Sequence, residues 1–565
     1  MEHVEDLFPF PAARRGQAEL LRDARECVGA GKVLVAHAPT GLGKTAVALA
    51  ACLERSRRDG GRVVFLTPRQ SQHRAVIETV RMMPAAIATV DLLSRESMCP
   101  AGPRPPCLEG RACAFQTERR MTECAKEVLR RPLHAQELIA LCLRRGACPY
   151  LTARLALTGA DLVVGDLSRV FGDMPDVLRF QGASAPQYLV VDEAHNLPSR
   201  IMDMFSRELC IGPDGGGQLG EVWREMLSHG HRLIPTAELR SLLERHSLPE
   251  PEELEDEDPM VRDWLRLGEA AVRIAYPEEG RIALRFLEPD LVVGSVLERC
   301  AAAIFMSGTL HPPELFAARM GIREGVCRSY PSPFDPARRL VVAVPDVGTR
   351  FRDRCRRTTD EMALRICELA DFVPGNVMVF LPSYSYMGAV RGALRRIGQR
   401  RTLLAERPGM SKAERDGLAG RLSCGREVLM LCNVHGSFSE GVDLPPGCLS
   451  AVMVAGLPLP PPSLERREMV ARASRKLEGG YDIDTYEALS RVVQACGRAI
   501  RREEDRAAIV LLDPRYLDRK VVRMLPPDLT FADGDPVGLL RAFFEDEGRP
   551  LWKFHLEGER IITGH

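Results

Sequence analysis

The 565-residue sequence predicts an α/β protein with two parallel-sheet units and two inserts in the first of them. Short apolar runs rich in β-branched residues alternate with amphipathic stretches, and such runs are typical of strands buried on both faces of a parallel sheet. The first series is VLVAHAP (33–39), RVVFLTP (62–68), DLVVGD (161–166), YLVVDEAH (188–195) and AAIFMSG (302–308). The second is NVMVFLPS (376–383), REVLMLCN (426–433), AVMVAGLP (451–458) and AAIVLLDP (507–514). Two series with helical patterns between them predict two units.

The composition is that of an ordinary globular protein. Hydrophobic residues make up 45% and charged residues 27% of the chain, and no apolar run approaches the roughly 18–20 residues of a membrane span. The N-terminal MEHVEDLFPF lacks the basic-then-apolar pattern of an export signal. We therefore expect a cytoplasmic protein in a reducing compartment, without a membrane segment. Because 77 basic residues balance 77 acidic ones, any nucleic-acid site must be local.

A phosphate loop is the strongest single motif. Residues 38–45 read APTGLGKT and lie between the run VLVAHAP and the helix-forming AVALAACLE. Gly41 and Gly43 would let backbone amides close around phosphate oxygens at a helix N-terminus. Lys44 would reach the β- and γ-phosphates, and Thr45 would bind Mg²⁺. The motif predicts a nucleoside-triphosphate site.

An acidic pair follows the buried run YLVV at Asp192 and Glu193. Carboxylates at the end of a buried strand are costly to desolvate unless they bind something charged. Asp192 is suited to hold Mg²⁺ through its water shell. Glu193 is suited to orient and deprotonate an attacking water.

Two arginines in the second unit complete the nucleotide prediction. In QACGRAIR (494–501), Arg498 and Arg501 are three residues apart, which predicts that they lie on one helical face. Planar guanidinium groups can stabilise the charge on a transferring phosphoryl group. A solvated helix face is the alternative, but a nucleotide clamped between two units needs cations from the far side.

These three motifs, in this order, resemble the superfamily 2 helicases. The segment SGTL (307–310) matches the coupling motif that ends the first motor domain, and VFLPSY (379–384) resembles the opening motif of the second. The segment GSFSEGVDL (436–444) resembles a motif linked to nucleotide and DNA. With the cysteine-rich insert and the tripeptide CPY (148–150), the chain resembles the xeroderma-pigmentosum-D (XPD) type of DNA helicase, in an archaeal version. The DinG-type bacterial helicases are close relatives.

The resemblance runs from Phe10 and Gln17 to about Tyr516 and implies a domain plan. Residues 1–95, 151–205 and 286–330 would form the first RecA-like motor domain, and 331–565 the second. Residues 96–150 would be an iron–sulfur domain, and 206–285 a mostly helical arch. The acidic run PEPEELEDEDP inside the arch is interpreted as a solvated linker. The final fifty residues carry no recognisable motif.

The resemblance also implies an activity and a set of site residues. The activity is ATP-driven 5′→3′ translocation on single-stranded DNA with unwinding of forked DNA, in DNA repair, by a monomeric, nucleoid-associated motor. The catalytic set is Lys44, Asp192, Glu193, Gln494, Arg498 and Arg501. The ATP and Mg²⁺ set is Gln17, Thr40, Gly41, Gly43, Lys44, Thr45, Asp192, Gly441 and Asp443. The coupling and DNA set is Ser307, Gly308, Thr309 and Arg95.

Six of the 17 cysteines fall within fifty residues, a density more typical of a metal site than of disulfides in a reducing compartment. The family pattern maps onto Cys99, Cys113, Cys124 and Cys148, which implies a [4Fe–4S] cluster. Zinc also takes four thiolates, but it favours close cysteine pairs, and this set has none. Cys107 competes with Cys113 as the second ligand. Cys142, within the apolar pattern ELIALCLRRG, is interpreted as a buried core thiol.

The insert also offers cations for DNA. Residues 96–150 hold nine Lys or Arg against six Asp or Glu, an excess that suits a phosphate backbone and equally a solvated surface. Candidates for DNA contact are Arg95, Arg119, Arg120, Lys126, Arg130 and Arg131. Three alternatives stay open: a translocase that strips proteins without separating strands, an iron–sulfur redox sensor with a degenerate ATPase, and RNA as the substrate.

Overall fold

Two parallel sheets form the frame of the protein. The computed structural model describes residues 6–102, 107, 111, 113–172, 185–212, 217–256, 258–439, 441–442, 444–477 and 481–545. Within these residues the first sheet has seven strands, in spatial order Val326–Ser329, Val33–His37, Ala302–Ser307, Gln187–Asp192, Arg62–Thr67, Leu162–Asp166 and Thr89–Leu92. The second has six described strands, in the order Arg339–Val344, Ala507–Leu512, Ala451–Ala455, Val377–Leu381, Val428–Asn433 and Thr402–Ala405. The predicted α/β class with two RecA-like lobes is confirmed.

The strands are parallel and almost wholly buried because their sequences are apolar on both faces. Arg62–Thr67 and Ala302–Ser307 are buried at every position. Helices cover the first sheet, namely Gln17–Gly29, Lys44–Asp59, Gln70–Arg81, Ser168–Phe171, Leu197–Phe205, Pro289–Leu297 and Pro313–Arg319. Others cover the second, namely Arg356–Asp371, Tyr384–Ile397, Lys412–Cys424, Leu464–Ser474, Ile483–Cys496, Arg519–Val522 and Pro536–Glu545.

Strand register brings the predicted motifs of the first lobe to one edge. His37 pairs with Ser307, and Met306 pairs with Asp192, so three neighbouring strands end side by side. Parallel strands present their carboxyl ends at the same edge, where α/β proteins bind their ligands. The phosphate loop, the acidic pair and the segment after Ser307 therefore meet there.

The cysteine-rich insert is helical in its described residues. Its helices are Arg95–Met98, Glu118–Arg130, Ala135–Arg144 and Pro149–Ala156. Their apolar faces, with Cys124, Val128, Leu138 and Cys142 fully buried, join the hydrophobic core that runs into the first lobe. The insert is thus packed onto the motor rather than held away from it.

The second insert contains more strand than the sequence predicted. Helices are present at Gly217–Ser228, Glu238–Arg245, Pro251–Leu254 and Pro259–Leu267. The described residues also form a four-stranded antiparallel sheet, in the order Arg207–Cys210, Arg281–Phe286, Ala271–Tyr276 and Arg232–Ile234. The two longer strands form a hairpin whose turn ends at Gly280, with φ of 57°. Short amphipathic strands are hard to recognise before their partners are known, so "mostly helical" was an incomplete description.

The acidic run in this insert is folded rather than a linker, although most of its described carboxylates are exposed, as predicted. Pro251–Leu254 is a helical turn in which Leu254 is buried, and Arg240 pairs with Glu252 at 2.6 Å. Asp258 accepts hydrogen bonds from the backbone N–H groups of Met260 and Val261 and so caps the next helix. Local partners and caps offset the mutual repulsion of the carboxylates.

Across the described residues, no helix is both long enough and apolar enough to span a bilayer.

Candidate nucleotide cleft and cysteine cluster

A cleft of about 580 Å³ separates the two lobes and is lined by residues from both. The first lobe contributes Thr40, Glu193 and Thr309, and the second contributes Gly441, Arg498 and Arg501. The volume lies within the range of small-ligand sites, roughly 300–1,000 Å³. The cleft therefore gathers predicted residues separated by more than four hundred positions in the chain.

The phosphate loop has the backbone that its glycines predict. Gly41 and Gly43 have φ of 84° and 77°, in the left-handed region where glycine carries no steric cost. A Cβ at Gly43 would lie 2.2 Å from Nε2 of Gln17, so that buried amide packs directly on the loop. Lys44 and Thr45 open the helix Lys44–Asp59. Gln17 is thus adjacent to the loop, as the resemblance implies.

The acidic pair is held by hydrogen bonds from the neighbouring strand. Ser307 Oγ donates to Glu193 Oε2 at 3.0 Å, and His195 Nδ1 lies 2.7 Å from the same hydroxyl and 3.4 Å from the carboxylate. Asp192 Oδ1 accepts from the backbone N–H of Glu193 at 2.9 Å. Glu193 has φ of 47°, a left-handed conformation uncommon for glutamate. Strain of this kind concentrates at functional sites.

Charges around the pair separate the two carboxylates. Burial and the negative charge of Glu193 raise the pKa of Asp192. Burial acts to raise the pKa of Glu193 too, but the hydrogen bond from His195 and the charge of Lys44 outweigh it and lower that pKa. Of the two carboxylates, Glu193 therefore stays ionised to the lower pH, and the charge of Lys44 contributes to this.

Arg498 and Arg501 bind the loop that carries the segment GSFSEGVDL (436–444). Arg498 donates from Nε to the Ser439 carbonyl at 2.9 Å and from Nη1 to the Val442 carbonyl at 2.6 Å. Arg501 Nη1 donates to the Leu444 carbonyl at 3.0 Å. Both also line the cleft.

The expectation that these arginines share a helix face is wrong. The helix Ile483–Cys496 ends before Arg498, and Gly497 follows it as the C-cap. Gly497 keeps a right-handed conformation, with φ of −62°, and the chain leaves the helix after it. Tertiary contacts with one loop, rather than helical spacing, bring the two guanidinium groups together. Gly441 lines the cleft, whereas Asp443 lies outside the described residues.

Cross-lobe contacts join the acidic pair to the second lobe. Gln494 Nε2 donates to His195 Nε2 at 2.5 Å, and Ser490 Oγ donates to the Thr309 carbonyl at 3.0 Å. The Gln494 side chain therefore reaches the acidic pair indirectly, through its hydrogen bond to His195. Gly308 lines the cleft beside Thr309, and Ser307 is buried beneath them.

Sequence reasoning did not single out His195, Ser490 or Arg69 as contacts between lobes. Arg69 Nη1 would be 1.8 Å from a Cβ at Gly441, so the guanidinium lies against that glycine. Arg69 could have been recognised from the sequence because it follows the carboxyl end of the strand Arg62–Thr67.

Cys148 lies near other thiols of the insert, and it also bonds to the surrounding backbone. The Cys148 N–H donates to the Phe115 carbonyl at 2.7 Å, which ties the loop of Cys113 to the start of the helix Pro149–Ala156. Burial and the nearby thiols of Cys113 and Cys99 raise the pKa of Cys148, while backbone N–H groups of Leu151 and Tyr150 act to lower it. Amides at a helix start are suited to stabilise a thiolate.

The distinction between Cys124 as a ligand and Cys142 as a core thiol is less clear than the sequence suggested. Both are fully buried, and they contact each other; burial, chiefly, and Cys124 raise the pKa of Cys142 to about 12. Among the described residues, no three His, Cys, Asp or Glu side chains are grouped so that they could hold a metal ion. A four-iron cluster is larger than one ion and holds its thiolates further apart. The convergence of thiols and helix amides fits such a cluster.

The candidate DNA-contact residues of the insert differ in their surroundings. Arg95 lies over the Tyr150 ring, 5.0 Å from its centroid. Arg119 pairs with Glu123 and Arg131 with Glu127 on the exposed face of the helix Glu118–Arg130. Arg120, Lys126 and Arg130 are exposed on the same helix. Cys107 is described only as an isolated, half-buried residue.

Comparison with known families agrees with this architecture. A DEAD/DEAH box helicase model matches residues 14–98, the DEAD_2 model matches 81–211, and a helicase C-terminal domain model matches 366–530. The matched regions contain the phosphate loop, the cysteine insert, the acidic pair and the arginines.

Individual relatives are distant in sequence. The ATP-dependent DNA helicase DDX11 of Mus musculus is 25% identical over 48% of this chain, and the match spans 35% of the mouse protein. A protein of Methanocaldococcus jannaschii, named as a probable ATP-dependent helicase, is 21% identical over 91% of this chain and 94% of its own length.

A solved XPD helicase structure has the same fold, with a TM-score of 0.62 and 19% identity over 91% of this chain and 98% of that one. The matching family models, the order of the motifs and the cysteine insert between the phosphate loop and the acidic pair agree. The chain combines the DEAD/DEAH box, DEAD_2 and helicase C-terminal domains and is similar over nearly its whole length to the XPD-type helicases of superfamily 2.

Proposed function

We propose that the protein is a monomeric ATP-driven DNA helicase that moves 5′→3′ along single-stranded DNA and separates forked duplexes during DNA repair. One observation carries the motor part of this proposal. Pro39 and Thr40 of the phosphate loop and Glu193 of the acidic pair line the same cleft as Arg498 and Arg501 of the other lobe. A nucleotide bound there would touch both lobes, so its hydrolysis would change how they pack.

The residues of the chain divide the chemistry among themselves. Lys44 neutralises phosphate charge, and Glu193, held by Ser307 and His195, accepts the proton of the attacking water. Thr45 and Asp192 would hold Mg²⁺, which supplies charge neutralisation when bound. Arg498 and Arg501 stabilise the transferring phosphoryl group from the far side.

The same contacts give a route from hydrolysis to movement. Within the first lobe, His195 and Thr309 both contact Ser307, the donor to Glu193. From the second lobe, Gln494 donates to His195, and Ser490 donates to the Thr309 carbonyl. A change in the hydrogen bonds of Glu193 therefore alters contacts between the lobes directly. DNA held across both lobes would be moved as they close and open.

The polarity and the strand separation are tested with forked DNA. Duplexes with a 5′ tail, a 3′ tail or both, and matched RNA duplexes, are incubated with ATP and Mg²⁺. We expect unwinding of the 5′-tailed DNA. Preference for the 3′ tail would reverse the polarity, and equal unwinding of RNA would remove the DNA preference.

Two other functions appear as outcomes of a parallel assay. Displacement of streptavidin from biotinylated single strands without duplex unwinding would identify a translocase that remodels protein–DNA complexes. Absence of DNA-stimulated ATP hydrolysis in protein that retains its metal would favour the redox sensor.

We infer further that Cys99, Cys113, Cys124 and Cys148 hold a [4Fe–4S] cluster. The helix amides beside Cys148, its electrostatic contacts with Cys99 and Cys113, and the full burial of Cys124 support this ligand set. When bound, the cluster would cross-link segments that are otherwise joined only by packing. Protein purified without oxygen should be brown, with about four irons and four sulfides per chain. Colourless protein with stoichiometric zinc would overturn the assignment.

A further inference from the structure

His37 is buried at the nucleotide cleft without a hydrogen-bond partner. It ends the strand Val33–His37 immediately before the phosphate loop, and its side chain is 1% exposed. Among the described residues, neither ring nitrogen has a partner. The ring nevertheless lines the cleft, together with Thr40, Glu193 and Thr309.

A buried polar group without a partner destabilises the folded protein, because it loses its bonds to water and gains none. Most buried polar atoms in proteins are satisfied, and an exception at a ligand cleft points to a partner that arrives with the ligand. An apolar side chain would fill this position at the end of a buried strand without that cost. The histidine therefore has a use that packing does not explain.

The ring is neutral and held in place. Burial, together with His311 and the charge of Lys44, lowers the pKa of His37 to about 3. A neutral imidazole has one N–H donor and one acceptor nitrogen. The edge of one ring meets the face of the other in the His37–His311 pair, with centroids 5.3 Å apart, and His311 Nδ1 lies 3.1 Å from Ser329 Oγ. These contacts restrict rotation of the His37 ring away from the cleft.

Strand register places His37 beside the groups that would act on a terminal phosphate. His37 pairs with Ser307, the residue whose hydroxyl donates to Glu193. His37 and Glu193 both line the cleft, and the charge of Lys44 lowers the pKa of each.

We propose that His37 is a nucleotide-binding residue, whose imidazole N–H donates a hydrogen bond to the terminal phosphoryl group of a nucleoside triphosphate on the phosphate loop. The inference rests on the proposed ATP-dependent function and names a contact within that site.

The test compares His37→Leu and His37→Asn with the wild-type protein. Affinities for a non-hydrolysable ATP analogue and for ADP are measured by competition with a fluorescent nucleotide, and Tm is measured alongside. We expect His37→Leu to weaken the ATP analogue about 10-fold, the loss of one hydrogen bond to a charged group, and to leave ADP unchanged. His37→Asn, which keeps an N–H donor, should recover part of the affinity.

Stability separates this role from a structural one. Because His37→Leu removes an unpartnered polar group, its Tm should equal or exceed that of the wild type. A lower Tm, or equal losses for ATP analogue and ADP, would make His37 a structural residue and overturn the inference. His311→Phe is the matched control, since it keeps the ring contact and should bind both nucleotides normally. Wild-type protein that binds no ATP analogue would instead refute the proposed function.

Discussion

The nucleotide cleft and the cysteine insert are organised in opposite ways. The cleft assembles residues from Gln17 to Arg501, and its charged groups already bond to protein partners such as Ser307 and His195. The insert gathers its thiols from about fifty residues, and burial raises the pKa values of Cys142 and Cys148. A thiolate in such a place needs a cation to offset its desolvation. The cleft is thus organised by contacts within the protein, whereas with the proposed ligand set the insert would depend on a bound metal.

The largest effect on ATP turnover should come from the cleft. Glu193→Gln preserves the shape of the side chain but removes the base, so turnover should fall by at least about 10²-fold while ATP still binds. Steady-state hydrolysis and nucleotide titration measure the two properties. Near-normal turnover would show that another group activates the water.

Arg498→Ala and Arg501→Ala should lower turnover by about 10²-fold each, with a smaller change in ATP affinity, because their charge matters most in the transition state. Both side chains also hold the loop around Ser439 and Leu444. If only affinity falls in both variants, the arginines bind the ground state or pair the domains. Single-turnover and binding measurements distinguish these cases.

Substitution of a cluster ligand in the insert should have the opposite pattern, with a larger effect on strand separation than on ATP hydrolysis. Cys148→Ser replaces a thiolate with a far less acidic ligand, so iron should be lost and strand separation should fail. DNA-stimulated ATP hydrolysis should persist in part, within about 10-fold of wild type, because the cleft lies in the lobes. Iron analysis and the fork assay measure the two effects, and wild-type iron content would exclude Cys148 as a ligand.

Matched cysteine variants sharpen the ligand set. Cys142→Ser should keep the iron, although its contact with Cys124 makes this the most demanding control. Iron loss in Cys142→Ser would move the third ligand from Cys124 to Cys142. Comparison of Cys107→Ser with Cys113→Ser identifies the second ligand.

The smallest effect on turnover should come from the junction between the lobe and the insert. Asp91 is fully buried, lies 2.6 Å from His73 Nδ1 and accepts from the Ala135 N–H at 2.7 Å. Asp91→Ala leaves both groups unpartnered, so the free energy of unfolding should fall by about 3 kcal/mol. Turnover by the folded protein should change little.

Urea denaturation measures this loss, with Glu123→Ala as the control. Glu123 pairs with Arg119 on an exposed helix face of the insert, where an ion pair contributes less than about 1 kcal/mol. Equal losses in the two variants would mean that the buried contact does not hold the insert to the lobe.

The sequence by itself determined the features that depend on local chemistry. Continuous apolar runs identified five of the seven described strands of the first parallel sheet and four of the six of the second, because burial on both faces requires them. The strands Thr89–Leu92, Val326–Ser329, Arg339–Val344 and Thr402–Ala405 were not recognised. Gly41, Gly43 and Lys44 identified the phosphate loop, since few other arrangements serve a phosphate. The acidic pair and the cysteine cluster were visible for the same reason: their residue types are costly to place without a ligand.

Only the tertiary structure decided which distant residues touch. The antiparallel sheet of the second insert needed partners from both ends of that segment, and the helix expected through Arg498 ended at Cys496. The contacts of His195 with Gln494, and of Cys124 with Cys142, join positions whose spacing carries no common period. His37 looked like part of an ordinary strand until its burial and missing partner were known. Periodicity reports which face of an element is buried, but the partner across that face depends on how the whole chain packs.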